Sequence, residues 1–182
     1  MNWKNSASRY GSLTIGIHWL MVLLFVAVYG TVELHEAFEK GSALRQLLMT
    51  WHFMLGMLVF VLLWLRLAAR LSGPTPAIVP EPPNLQQLSS RLLHLALYAL
   101  MVGMPLTGWL MLSAAGKPIP FFGLELPALI GENKNLAEQF EELHELAGTT
   151  GYFLIGLHTV AALYHHHFVH DNTLTRMLPE RK

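Results

Sequence analysis

Long apolar runs separated by shorter polar gaps set the framework of this chain. Leu13–Val32, Trp51–Leu71, roughly Arg91–Leu112 and Leu146–Val169 each approach or exceed the length of about 20 residues that a helix needs to cross the apolar core of a bilayer. The gaps between them have distinct characters. Glu33–Thr50 is polar and predicts a short loop with room for a helical turn. Ser72–Asn84 holds Pro74, Pro76, Pro80, Pro82 and Pro83 and reads as an extended connector. Ala114–Asn135 contains Pro118, Pro120 and Pro127 and is apolar enough at Phe121, Phe122, Leu124 and Leu126 to lie on a membrane surface. A polar tail runs from Asp171 to Lys182. The pattern predicts an all-α integral membrane protein, a bundle of four transmembrane helices in one domain over 1–182, with spans near 13–32, 51–71, 91–112 and 146–169. Pro105 and Gly108 are expected to kink or loosen the third helix.

Composition agrees. Apolar residues make up 53% and charged residues 13%, and the mean hydropathy of +0.39 is too high for an ordinary soluble domain. A cleaved signal peptide is the competing reading of the first run, disfavoured by the run's length and the lack of a clear small-x-small site. Zero formal net charge removes the overall basic character that would draw nucleic acid. The absence of cysteine excludes disulfides, cysteine-ligated iron–sulfur clusters, thioether haem attachment and thiol catalysis. Charge also orients the chain. Lys4, Arg9, Arg66, Arg70, Arg91, Arg176, Arg181 and Lys182 fall in the N-terminus, the second loop and the tail, against only Lys40, Arg45, Lys117 and Lys134 in the other two loops. Both termini are therefore expected in the cytoplasm, with the Glu-rich first and third loops on the outer side.

Ten histidines are the compositional anomaly. His144 and His158 share the fourth helix, fourteen residues apart. That spacing brings two side chains within about 40° of one direction and about 21 Å apart along the axis. Gly148 and Gly151 lie between them on nearly the same face and leave room for something broad and flat. Antiparallel spans then match depths: His52 with His144 on the outer side, and His158 with His18 or His94 on the inner side. His18 is favoured because Gly16 precedes it and it lies slightly deeper. An imidazole in hydrocarbon must find a partner. Iron supplies one, so two bis-histidine haem b sites are expected, with no open iron position and hence electron transfer rather than dioxygen binding.

Other residues carry weaker signals. Arg9, Arg66, Arg70 and Arg91 suit haem propionates or a quinone carbonyl, although topology signalling alone explains them. Lys117 and Lys134 could draw an anion to the outer haem, or be solvated loop charges. His165, His166 and His167 point in three directions on a helix and chelate poorly. His165 lies seven residues beyond His158 on roughly its face and borders the inner site; it, His166 or His94 would serve as a proton carrier near neutral pH.

The segments IHWL at Ile17–Leu20, WH at Trp51–His52, LHELAGTTGYFLIGLHTVAALYHHHF at Leu143–Phe168 and DNTLTRMLP at Asp171–Pro179 together resemble the bacterial cytochrome b561 family. The likeness covers essentially the whole chain and is weakest in the connector and outer loops. It implies His18 with His158 for one haem and His52 with His144 for the other. It further implies a diheme oxidoreductase of the bacterial inner membrane that oxidises superoxide to dioxygen at the outer face and reduces ubiquinone. A homodimer is compatible with it. Two other readings stand beside it: a cytochrome b subunit joining a dehydrogenase or hydrogenase to the quinone pool, and a non-enzymatic haem or metal carrier.

Overall fold

The computed structural model describes residues 3–179, so Arg181 and Lys182, two of the charges used for orientation, lie outside the described residues. In chain order the elements are α1 (Ser12–Glu36), α2 (Ala43–Leu71), α3 (Asn84–Ala114), β1 (Pro120–Phe121), β2 (Leu124–Glu125) and α4 (Lys134–Tyr164). A π-helical turn over His165–Val169 prolongs α4, and a short 3₁₀ turn follows at Thr175–Met177. All four α-helices are long and apolar enough to cross a membrane.

The helices outrun the apolar stretches. α1 continues through Glu33 to Glu36 and α2 begins at Ala43, which shrinks the expected Glu33–Thr50 loop to residues 37–42. α3 starts at Asn84, not near Arg91. Hydrophobicity marks what must sit in lipid, while Glu, Gln, Arg and Leu propagate a helix equally well into water. Pro105 lies inside the continuous α3. The expected third loop carries the small antiparallel ladder Pro120↔Glu125 and Phe121↔Leu124. Its turn needs positive φ at Phe122 (47°) and Gly123 (87°). Glycine meets that freely; the phenylalanine is held by its N–H on the Met54 sulfur (3.3 Å) and its ring against Trp51 (6.2 Å).

The chain separates into two compact units. One gathers residues 3–20, 63–99 and 150–179 of the described chain, around Tyr10, Ile15, Ala69 and the fully buried Leu63. Its N-terminal segment is fixed by buried Asn5. The Asn5 Oδ1 accepts from Gly11 N–H (2.9 Å) and the Thr14 hydroxyl (2.8 Å), and its Nδ2 reaches the Ala69 carbonyl (3.4 Å). The tail is stitched to the proline-rich connector. Asn172 accepts from Val79 N–H (2.9 Å) and donates to the Val79 and Ala77 carbonyls, while Arg176 donates to the Pro76 carbonyl. Trp19 closes the tail with a bond to the Met177 carbonyl (2.8 Å).

The second unit holds residues 21–62 and 100–149, around Met21, Leu24, Met57, Val59, Met101, Leu112 and Ile119. In both units many large apolar side chains stay exposed, among them Leu23, Val26, Phe153, Val160 and Phe168. Such a surface suits acyl chains.

Candidate functional site

Each unit contains one pair of neighbouring histidines, and three helices supply them. In the second unit α2 carries His52 and α4 carries His144, with ring centroids 6.2 Å apart and planes at 78°. In the first unit α1 carries His18 and α4 carries His158, 6.4 Å apart at 86°. These spacings can be compared with what a metal requires. Bonds of about 2 Å from each imidazole nitrogen to a first-row metal, plus about 1.2 Å from that nitrogen to its ring centre, would put two imidazoles in line across one metal about 6.4 Å apart. Both pairs fit. His94 also faces His158, but at 5.3 Å it is too close to share an iron in line with it.

The ring nitrogens agree with this reading. His52 Nδ1 lies 3.1 Å from the Val28 carbonyl, which only accepts, so this nitrogen carries the proton and Nε2 is left as the lone pair. His144 Nδ1 lies 3.1 Å from the Thr107 hydroxyl. That hydroxyl donates to the carbonyls of Gly103 (2.9 Å) and Met104 (3.0 Å), so towards His144 it accepts. Gly108 makes the seat for the ring: a Cβ there would lie 3.3 Å from His144 Cε1 and 3.6 Å from Nδ1. The expected open face between the two α4 histidines is only partly so. Gly151 is buried, and the space at Gly148 is met by the Met104 methyl at 3.5 Å, while Tyr29 donates to the Gly148 carbonyl (3.0 Å). Two imidazoles fall short of the three or four protein ligands of an ordinary zinc centre. Among the described residues no group of three or more His, Cys, Asp or Glu is placed to hold a metal ion. The pairs suit a metal that brings its own in-plane ligands.

Arg66 is the arginine brought to the His18–His158 pair, within electrostatic reach of both rings. Its Nη1 and the Tyr98 hydroxyl are buried without a hydrogen-bond partner. The guanidinium and the Tyr98 hydroxyl act on one another, and the unmet Nη1 donor beside the pair fits an anionic or carbonyl oxygen such as a propionate. Arg9 instead donates to the Leu178 carbonyl, Arg70 acts on His94, and Arg91 is exposed.

His165 begins the π-helical turn with its Nδ1 on Asp171 Oδ2 and its Nε2 2.9 Å from Gln86 Nε2. The amide nitrogen can only donate, so Nε2 accepts and Nδ1–H donates to the carboxylate. Burial pushes the Asp171 carboxyl up, but hydrogen bonds from His165 and from Thr173 N–H (2.8 Å) outweigh it and hold the group below the usual carboxylate range. The neighbours His166 and His167 stack on each other at 4.8 Å. Asp171, Gln86 and Thr107 were not legible as partners, since each lies between 6 and 79 residues from the histidine it serves.

Lys117 and Lys134 are not brought to the His52–His144 pair by any contact. Lys117 is exposed. Lys134 lines an open cavity of about 420 Å³ with Glu132, Glu138 and Glu141, and its ammonium sits 3.9 Å from Glu138. A basic cluster absent from the expectations lies at the end of α1, where Arg45 reaches Glu36 (3.1 Å), His35 Nε2 (3.3 Å) and the His35 carbonyl (3.1 Å).

Comparison with known proteins bears on these residues. The family described as prokaryotic cytochrome b561 matches residues 9–180. Cytochrome b561 homolog 1 of Escherichia coli is 35% identical over 96% of this chain and 99% of its own length. The probable superoxide oxidase CybB of Yersinia pestis is 36% identical over 96% and 98%. Cytochrome b561 homolog 2 of Escherichia coli is 29% identical over 98% and 95%.

Proposed function

Because the chain belongs to the prokaryotic cytochrome b561 family, a family of bacterial multi-pass membrane electron-transfer proteins that bind b-type haem, we propose that it carries two haems b and oxidises superoxide with ubiquinone. The observation that carries the reading is the pair of imidazole separations, 6.2 and 6.4 Å, each matched to an iron between them. The name of the Yersinia pestis relative supports the choice of superoxide. Held by His18 and His158 and by His52 and His144, haem b would supply a one-electron couple.

The protein's own groups do the rest. His52 and His144 present Nε2 because Val28 and Thr107 occupy their Nδ1 protons. Arg66 and Tyr98 hold an acidic or carbonyl oxygen beside His18 and His158. Two superoxide ions each lose one electron and leave as dioxygen; ubiquinone gains two electrons and two protons. His165 takes a proton from water at Nε2 to become imidazolium, passes that proton to a quinone oxygen, and returns to the neutral Nδ1–H form that Asp171 and Gln86 hold at rest. The termini lie in the cytoplasm of the inner membrane, and Lys117 and Lys134 stand at the superoxide-facing side.

The test is direct. Superoxide generated enzymatically and added to the purified oxidised protein should reduce the haems, and ubiquinone should reoxidise them. Reduction that persists unchanged in the presence of superoxide dismutase would overturn the reading. One observation favours a second function. Three carboxylates line the cavity that Lys134 shares, with Glu138 3.9 Å from its ammonium, a surface better suited to a basic soluble redox partner than to an anion. Copurification of a stoichiometric dehydrogenase or hydrogenase would select that alternative.

A further inference from the structure

The two histidine pairs have the same geometry but opposite surroundings. At His52 and His144 both Nδ1 protons are hydrogen-bonded, to the Val28 carbonyl and to the Thr107 hydroxyl, each at 3.1 Å, with the Met104 carbonyl a further acceptor close to His144. At His18 and His158, among the described residues, neither ring has a hydrogen-bond partner. What that second pair has is a cation. Arg66 acts on both rings, and its Nη1 is buried and unpaired.

Each difference has a redox consequence. An imidazole whose distal N–H is drawn to an acceptor becomes a more electron-rich ligand and stabilises ferric over ferrous iron, lowering the midpoint potential. A buried guanidinium near a haem does the reverse, since reduction removes one positive charge from its neighbourhood. Both effects act in the same direction.

We propose that Thr107 and Arg66 are positioning residues that set the direction of electron flow, Thr107 holding the His52–His144 centre at the lower potential and Arg66 holding the His18–His158 centre at the higher one. The inference rests on the reading of these four histidines as haem ligands. It does not depend on superoxide being the donor. Electrons delivered to the first centre then run downhill to the second, whichever reductant supplies them.

The experiment is a spectroscopically monitored redox titration of the purified two-haem protein. Thr107→Val, nearly isosteric but without the hydroxyl, should raise the lower of the two midpoints by about 59 mV, a tenfold change in that one-electron equilibrium, and leave the higher one in place. Thr107→Ser keeps the hydroxyl and should restore the parent value. Arg66→Gln should lower only the higher midpoint. The proposal is overturned if Thr107→Val retains both haems with no shift, if it moves the higher midpoint, or if both variants move the same centre. Should Thr107→Val fail to hold haem, Arg66→Gln decides alone: an unmoved higher midpoint sinks the proposal. Failure of the ligand reading looks different, because His144→Ala would then keep both haems.

Discussion

Gly108→Ala separates the seat of His144 from every other feature of α3. In an ordinary exposed helix interior this substitution stabilises by about 1 kcal/mol, because glycine is the more entropically costly residue to order. Here the added Cβ would stand 3.3 Å from His144 Cε1. An unstrained carbon–carbon contact falls at about 3.5–4.0 Å, so either the ring or α3 must give by a few tenths of an ångström. The same edge of His144 is tethered by the 3.1 Å bond from Nδ1 to Thr107, one residue before Gly108 on the same helix. Rotating the ring out of the clash costs about 0.5–1.5 kcal/mol, which roughly cancels the helix gain. The iron bond is less tolerant, since ligand distances hold to within about 0.2 Å. We therefore expect a folded Gly108→Ala protein with near-normal thermal stability that binds haem poorly at this one pair. Haem content should fall from two towards one per chain, and the retained haem should keep its low-spin spectrum. Two haems with unaltered spectra would show that His144 does not ligate from this position.

Other expectations follow from the same contacts. Gly11→Ala should be severely destabilising, because the new Cβ would meet the Trp3 carbonyl oxygen at 2.3 Å and the Lys4 backbone at 2.5 Å, where no side chain can yield; little folded protein should survive detergent extraction. Asn5→Ala strands the Gly11 N–H and the Thr14 hydroxyl and should cost about 2–4 kcal/mol, read as a lowered melting temperature. The Asp171 carboxyl is held below its usual range, so its contribution to stability is complete at neutral pH and is lost as pH falls through the carboxylate range; the stability gap between the parent and Asp171→Asn should close on acidification and be constant above it. Charge reversal should distinguish the two lysines: Lys117→Glu should slow haem reduction by superoxide, most at low ionic strength. Lys134→Glu, already among three carboxylates, should change the rate less, and a larger loss at Lys134 would contradict the electrostatic argument.

The four helices were legible because bilayer thickness imposes a length on apolar runs, and no neighbour can alter that requirement. Their ends were not. Glu33, Glu36, Arg45 and Gln86 all lie in helical backbone, since leaving the membrane removes the demand for apolar side chains without removing helix propensity. The hairpin at Pro120–Glu125 was read as a surface loop; its ladder has only two residues a side and depends on Trp51 and Met54, which are remote in sequence.

In the site, helical periodicity places His144 and His158, fourteen residues apart, at two depths on one face of α4. It favours His18 over His94 only through depth and the preceding Gly16, and both rings approach His158, at centroid separations of 6.4 and 5.3 Å. The groups that tune the ligands were hidden for a related reason. Thr107 lies 37 residues from His144, and Val28 lies 24 from His52. Periodicity relates positions within one helix, whereas these bonds join different helices. The acidic setting of Lys134 was within reach, however: Lys134, Glu138 and Glu141 stand at i, i+4 and i+7 on one face of α4, so the charge that surrounds this lysine is a property of the helix itself. Spacing along a rod thus sets the depths of the paired histidines, and contacts between rods set what their ring nitrogens bond to.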